Sequence, residues 1–319
     1  MKLWLCLRFG QLPLQCLNRS EHKAVVVLAR QRVFRANECA AALGIREQMS
    51  TATLRTLAGD EPVLLLERDP QAERRCLQNL CCWAYGISPT LHTWREDCLQ
   101  VEIGGCLNLF KGLDAILTEV GNGLRSRGFT ASPGLAATPG AAWLLSFAEP
   151  DIAQAIDRPL EARLAPLPLR LLDDFTATVD SLHRAGLETL GDMLALPTQA
   201  ISRRCGIEFS HFLQRVLGHR DDPRADYEPP TTFSDGYWYG YEVKANVELL
   251  PAAEQLLQSL CRFLRNAQLQ TAAIDWQLTG VDRRVTGIAV RSASRHSDWR
   301  SWLQLTRIRF EQLKLDTGV

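Results

Sequence analysis

Residues 3–15 read Leu3-Trp-Leu-Cys-Leu-Arg-Phe-Gly-Gln-Leu-Pro-Leu-Gln15. Leu3 to Phe9 form an apolar run with one charge, Arg8, and break at Gly10. That pattern predicts a buried strand followed by a turn. Nucleotide-handling enzymes often open with such a strand and place a metal-binding Asp at its end. Here the corresponding places carry Cys6 and Arg8. The strand has either lost that chemistry or never had it.

Working outward, a second strand is expected over 23–29 and a small helical unit over 35–59, with Asn37 and Ser50 or Thr51 as caps. A strand over 62–67 precedes a helix over 69–85 with Leu77, Leu80, Cys81 and Ala84 on one face. Strands over 88–94 and 98–110, an amphipathic helix over 113–128, and a short strand and Ala/Leu helix within 129–150 follow. Together they make an α+β domain on an antiparallel or mixed sheet.

A Pro-rich joint, Leu164-Ala-Pro-Leu-Pro-Leu169, ends that domain, and 170–218 reads as wholly helical. Within it, two short helices over 182–197 meet at a Gly-containing turn. The turn is either helix–hairpin–helix-like, with backbone N–H groups open to a phosphate, or a plain packed hairpin, since it lacks Gly-x-Gly. A charged, Pro-containing tether over 219–230 reads as an exposed linker. Beyond it come a strand over 237–249, a helix over 251–268, a hairpin of 272–279 and 285–292, and a helix over 298–313. This order implies a final strand that only 314–319 remain to begin. The chain is therefore expected to be truncated before or within its last strand.

Composition narrows the class. The 319 residues are 46% hydrophobic and 23% charged, as in an ordinary globular protein. Lys+Arg and Asp+Glu both total 36, so net charge gives no global argument for nucleic acid, although 31 of the 36 basic residues are Arg. The ten cysteines contain no Cys-x-x-Cys pair and no zinc-ligand spacing, which points to buried, reduced thiols. A cysteine or metal enzyme built on His92, Cys98 and Cys106 has no support in their spacing. The amino terminus lacks the pattern of a signal peptide, and no apolar run approaches the ~20 residues of a membrane span. The reading is a cytoplasmic, nucleoid-associated protein.

The order of elements resembles the Y-family translesion DNA polymerases over essentially the whole chain. Residues 1–17 and 75–163 would be palm, 18–74 fingers, 164–227 thumb, 228–235 linker and 236–319 little finger, an α+β right hand. Within that family the opening stretch is similar to the ImuB-like, catalytically degenerate bacterial mutasome branch. So are Ala41-Ala-Leu-Gly-Ile-Arg-Glu-Gln-Met49, Trp83-Ala-Tyr-Gly-Ile-Ser-Pro89 and Val101-Glu-Ile-Gly-Gly-Cys-Leu-Asn-Leu-Phe110.

The resemblance implies specific losses. Polymerisation in this family uses two divalent ions held by carboxylates. The first pair of metal-binding Asp residues aligns with Cys6 and Arg8, and the second carboxylate pair with Ile103 and Gly104. Glu102 is adjacent, but strand alternation turns it to the other face. A one-residue shift could return it, and an Arg8–Glu102 pair is then conceivable. Gln11 replaces the aromatic that screens the sugar. Glu38 and Ala41 replace the Tyr and Arg that grip the triphosphate, and the usually Lys-rich loop reads Gly134-Leu-Ala-Ala-Thr-Pro-Gly140. No catalysis and no cofactor are expected.

DNA binding could survive. Residues 283–309 carry seven Arg and one acid, and in the family the little-finger sheet lies on DNA. Arg283, Arg284, Arg291 and Arg295 are the candidate phosphate contacts. The resemblance also implies a scaffold that joins an ImuA-like RecA-fold protein, an error-prone C-family DNA polymerase and the sliding clamp. Residues 312–316 superficially resemble a clamp motif but read better as strand. The clamp-binding region is expected beyond Val319. An active translesion polymerase with an unusual centre, or a scaffold that never touches DNA, are the alternatives.

Overall fold

The opening alternation is realised as β1 (Trp4–Arg8), buried at every residue but the last. The computed structural model describes residues 2–18, 23–148, 157–225, 227–228, 232–239, 242–280 and 284–313. The chain divides into two compact units. The first is 1–12, 87–121 and 130–228; the second is 13–86, 122–129 and 229–319.

In the first unit β1 is a central strand. It pairs antiparallel with β6 (Cys98–Glu102) on one side and β7 (Ser132–Ala136) on the other, and β5 (Leu91–Thr93) completes the sheet. Leu5 faces Val101 and Leu7 faces Leu99, all buried. Burial of each such side chain contributes about 1.5–3 kcal/mol. The opposite face, with Trp4, Cys6 and Cys98, shares one core with α7 (Pro139–Leu145) and with α8 (Leu160–Leu164), α9 (Thr176–His183), α10 (Leu190–Leu194), α11 (Thr198–Cys205) and α12 (Ile207–Val216). Gly134 in β7 is required by this packing: a Cβ there would drive into the Ala142 carbonyl and the Ser146 amide of the overlying helix.

The strand expected over 98–110 stops at Glu102. Gly104–Cys106 turn as a 3-10 helix and Leu107–Phe110 form α5, before α6 (Leu113–Ser126). The tether is not a free linker up to 228. Arg224 pairs with Asp222 at 2.7 Å and lies 3.9 Å over Trp94, the His92 ring nitrogen Nδ1 meets the Ala225 carbonyl at 2.8 Å, and the Tyr227 N–H donates to Leu91 at 2.9 Å. These contacts cover the edge strand β5, which would otherwise present unpaired backbone.

In the second unit, after α1 (Leu12–Gln15), β2 (Ala24–Ala29) pairs antiparallel with β3 (Arg32–Ala36) and parallel with β4 (Val63–Glu67). β3 was not expected. Its hairpin turn is Arg30-Gln31, with φ of 50° and 59°. Such turns favour Asn-Gly or Gly, and neither residue announces one. Two caps are as expected, Asn37 on α2 (Glu38–Ala42) and Ser50 on α3 (Thr51–Ala58), and Asp69 caps α4 (Pro70–Tyr85).

The carboxy-terminal module of this unit packs α13 (Leu250–Asn266) and α14 (Trp299–Glu311) on the hairpin β8 (Thr271–Thr279) and β9 (Val285–His296), around Leu257, Phe263, Val290 and Trp302. The strand expected over 237–249 does not form. Described residues 232–239 and 242–245 join no ladder, and Asn246–Leu249 is a 3-10 turn. The Trp238 N–H instead donates to the Ser126 carbonyl. The expected start of a last strand, and most of the clamp-like stretch, lie outside the described residues.

Candidate functional site

The residues that stand at the expected polymerase centre all have other partners. Cys6 is fully buried opposite Gln100 on β6 and Gly134 on β7. A hydrogen bond with Cys6, and then burial, push the neighbouring Cys98 thiol far above its usual range, so it stays protonated. Arg8 donates from Nε to the Ser146 hydroxyl at 3.2 Å and from Nη2 to the Ser146 carbonyl at 3.1 Å. Its guanidinium lies 4.0 Å from the centre of the Phe147 ring. Ser146 caps the carboxy-terminal end of α7, where the helix dipole favours a cation. Arg8 is thus a helix-capping cation.

Glu102 is equally committed. Its Oε1 accepts the backbone N–H groups of Leu3 and Gly104, both at 2.9 Å, and its Oε2 accepts that of Gly105 at 3.2 Å. The possible Arg8–Glu102 pair does not exist. Arg8 stands opposite Cys98 and Glu102 opposite Trp4, four residues along the ladder, or about 13 Å at ~3.3 Å per residue. Ile103 is fully buried and donates its N–H to Leu3 at 2.8 Å; Gly104 offers no side chain.

The expected triphosphate-side positions are scattered. Gln11 and Glu38 are exposed, and the Ala41 carbonyl accepts Arg46 Nη1 at 2.6 Å. Gly134 to Ala136, expected in a loop, belong to β7. Among the described residues no group of three or more His, Cys, Asp or Glu is placed to hold a metal. All ten cysteines are free thiols, five buried and five only partly so.

The turn between α9 and α10 is a plain packed hairpin. Gly186 takes a left-handed φ of 81°, but the N–H groups around it are spent. Leu187 donates to Leu182, while Glu188 and Thr189 donate to Asp192 Oδ2 at 3.1 and 2.9 Å. Leu190 and Gly191 donate to Leu167 and Ala165. A carboxylate already fills the place a phosphate would take.

The β8–β9 hairpin offers the opposite situation. Ile274 faces Val290 and Trp276 faces Ile288 on the covered side. The other side is open and carries Ala273, Asp275, Gln277, Thr279, Gly287, Ala289 and Arg291. Arg291 Nη1 bonds Asp275 Oδ1 at 2.8 Å, with both side chains more than half exposed. Arg295 is exposed where the register slips between the Ala273–Arg291 and Thr271–His296 pairs. Arg284 is exposed at the entry to β9, and Arg283 lies outside the described residues. The hairpin therefore brings Arg291 and Arg295 to one strand of an open sheet, with Arg291 partly neutralised.

The α+β fold recurs in solved structures. A Dbh ternary complex aligns over 99% of this chain and 96% of its own, with a TM-score of 0.52 and 13% identity. DinB from Sulfolobus solfataricus aligns over the same shares, with a TM-score of 0.51 and 12% identity. At such identities the likeness speaks for the fold alone. Residues 13–147 match the impB/mucB/samB family. Protein ImuB from two strains of Caulobacter vibrioides (NA1000 / CB15N, and ATCC 19089 / CIP 103742 / CB 15) is 30% identical over 195 residues. The chain is similar to ImuB and shares the fold of Y-family polymerases. The match covers 61% of this chain and 43% of ImuB, so it spans less than half the length of those curated relatives.

Sequence reasoning missed the partners of Arg8 and Glu102, because both lie far away in sequence or on backbone atoms. It also missed a buried ion pair in the second unit. Arg127 and Asp235, side chains 5% and 2% exposed, pair through Nε–Oδ1 at 2.8 Å and through Nη2–Oδ2. Burial pushes the Asp235 carboxyl above its usual range, and Arg127 pulls it back. Neither residue stands in a motif.

Proposed function

We propose that the protein is a non-catalytic, polymerase-like adaptor that binds DNA during damage-induced translesion synthesis and mutagenesis. The observation that carries this reading is the occupation of Arg8 and Glu102. A pair of Mg²⁺ ions needs several carboxylate oxygens facing one space. The aligned positions supply a buried thiol, a guanidinium on a helix end, an apolar side chain and a glycine. Glu102, the carboxylate next to Ile103 and Gly104, is held by three backbone donors. This donor set does not fit the ions.

DNA binding is supported by the open β8–β9 face. Its small side chains let a sugar–phosphate backbone approach closely, Arg291, Arg295 and Arg284 supply cations beside it, and Arg283 precedes Arg284 in the sequence. Partnership with an ImuA-like RecA-fold protein, an error-prone C-family polymerase and the sliding clamp rests on the ImuB relationship. So do SOS-response membership and a nucleoid-associated, cytoplasmic site of action. Among the described residues no helix is long and apolar enough to cross a membrane.

Two measurements test the proposal. Primer extension with Mg²⁺ or Mn²⁺ and all four deoxynucleotides should give no incorporation; incorporation abolished by Glu102→Gln would overturn the non-catalytic reading. Fluorescence anisotropy with primer–template DNA at two salt concentrations should show binding that weakens steeply with salt. Salt-independent binding, or none, would leave a protein scaffold without a DNA grip.

A further inference from the structure

Arg127 stands where four stretches of the second unit meet. Its Nη1 donates to the Gly123 carbonyl at 3.0 Å, its Nη2 to the Ser259 hydroxyl on α13 at 3.2 Å, and its guanidinium lies 5.1 Å from the Trp83 ring on α4. Asp235 comes from the stretch 232–239. The same junction holds the Trp238 N–H on the Ser126 carbonyl at 3.2 Å and Gln255 of α13 on the Ser126 hydroxyl at 2.7 Å. Trp83 packs against Gly123, where a Cβ would drive into the indole ring.

Two features set this junction apart from a core. The module 232–313 has its own apolar interior, with Leu257, Phe263, Trp302 and Phe310 buried among its own elements. The junction is built mainly from Arg, Asp, Ser and Gln. Polar contacts of this kind join bodies that separate more readily than they unfold. A buried ion pair adds little net stability, but removing one partner strands a buried charge. It therefore rewards one arrangement and penalises the others.

We propose that Arg127 and Asp235 are a latch that docks the 232–313 module onto α4 and residues 122–129, so that the module has a docked state and a released, still folded state. This inference does not depend on the DNA-binding reading. It concerns only which parts of the second unit move together. Release would carry the whole β8–β9 face with it, because that face belongs to the module.

Hydrogen exchange on the full chain tests it. With Asp235→Asn, the Trp238 amide should exchange at least about tenfold faster, while the amides of β8, β9 and α14 keep their protection. Arg127→Lys, which keeps the charge but loses the paired donors, should give a smaller rise at the same amide. Unchanged exchange at Trp238 in both variants would overturn the proposal. So would an equal loss of protection throughout β8, β9 and α14, because the pair would then be supporting the module's fold. Should Asp235→Asn not fold, Arg127→Lys and Gln255→Ala carry the same comparison.

Discussion

The charged groups at the ends of β1 and β6 and on the open face of β8–β9 are of the same chemical kinds but are used in opposite ways. Arg8 is bound to the end of α7 and Glu102 to three backbone N–H groups, so neither has much left to offer a ligand. Arg291, Arg295 and Asp275 are exposed, and the one ion pair among them is open to solvent. The difference separates charge that completes a fold from charge that remains available for recognition. A guanidinium that satisfies a helix end must be desolvated and repositioned before it can bind anything else. An exposed one is screened but free to exchange partners.

The sharpest way to break the first half of the comparison is Gly134→Ala. The new Cβ would meet the Ala142 carbonyl and lie 2.5 Å from the Ser146 nitrogen, both backbone atoms that cannot swing away. Helix α7 would have to lift from β7, taking the Ser146 acceptor away from Arg8. We expect a loss of roughly 3 kcal/mol or more, as for severe overpacking. A thermal melt within a degree of the parent would show that α7 is not seated as described.

Next in size is Glu102→Ala. Three backbone N–H groups lose their acceptor together. At about 1–3 kcal/mol for an unsatisfied buried donor, moderated by partial exposure, we expect ~2 kcal/mol of destabilisation. Arg8→Met keeps the stem but removes the cation from the helix end, and should cost about 1 kcal/mol. Urea titrations of both variants check the order. Arg8→Met costing more than Glu102→Ala would mean the guanidinium does something beyond capping.

These effects also mark what the sequence could tell. The opening strand was legible because Leu3, Leu5 and Leu7 demand burial, and Asn37, Ser50, Asp69 and Asp298 stand at helix starts that their own side chains cap. β3 was hidden because Arg30-Gln31 adopts a left-handed turn without a glycine to signal it. The strand over 237–249 was over-read. Its alternation is real, since the Tyr237 and Tyr239 rings meet on one side, tilted at 57° with centres 4.9 Å apart. Alternation, however, does not supply a ladder partner. At the candidate site, residue types set the expectation of lost metal chemistry. They could not show that Arg8 and Glu102 had been recruited to backbone atoms, because those partners carry no side-chain signature.

The second half of the comparison can be sharpened with substitutions of opposite sign. Arg291→Ala and Arg295→Ala should each weaken primer–template binding several-fold and lower the salt slope by up to about 0.9 for each phosphate no longer neutralised. Asp275→Ala should strengthen binding, because it frees Arg291 and removes a repelling carboxylate. Asp275→Ala binding no tighter than the parent would mean that this face does not meet phosphates.

The smallest expected effect is one of pH, at two helix starts capped by exposed carboxylates. Asp192 is held below its ordinary value of 3.8 by the Thr189 backbone N–H first, and then by the Thr189 hydroxyl and the Glu188 N–H. Asp298 is held below 3.8 by the Ser301 hydroxyl first and the Ser301 N–H second. A carboxylate whose pKa is depressed on folding adds stability that is fully present above its unfolded value and is lost as pH falls through the folded one. Both caps therefore contribute at neutral pH and fade below about pH 4. Both carboxylates are solvent-exposed, so each contribution is small. Hydrogen exchange followed from neutral pH into that window should first loosen the start of α10 in the parent but not in Asp192→Asn, whose amide cannot take up the proton. The start of α14 should behave likewise in Asp298→Asn. If either asparagine variant loosens over the same pH range as the parent, its carboxylate is not the group that titrates. That helix would then be responding to a different acid.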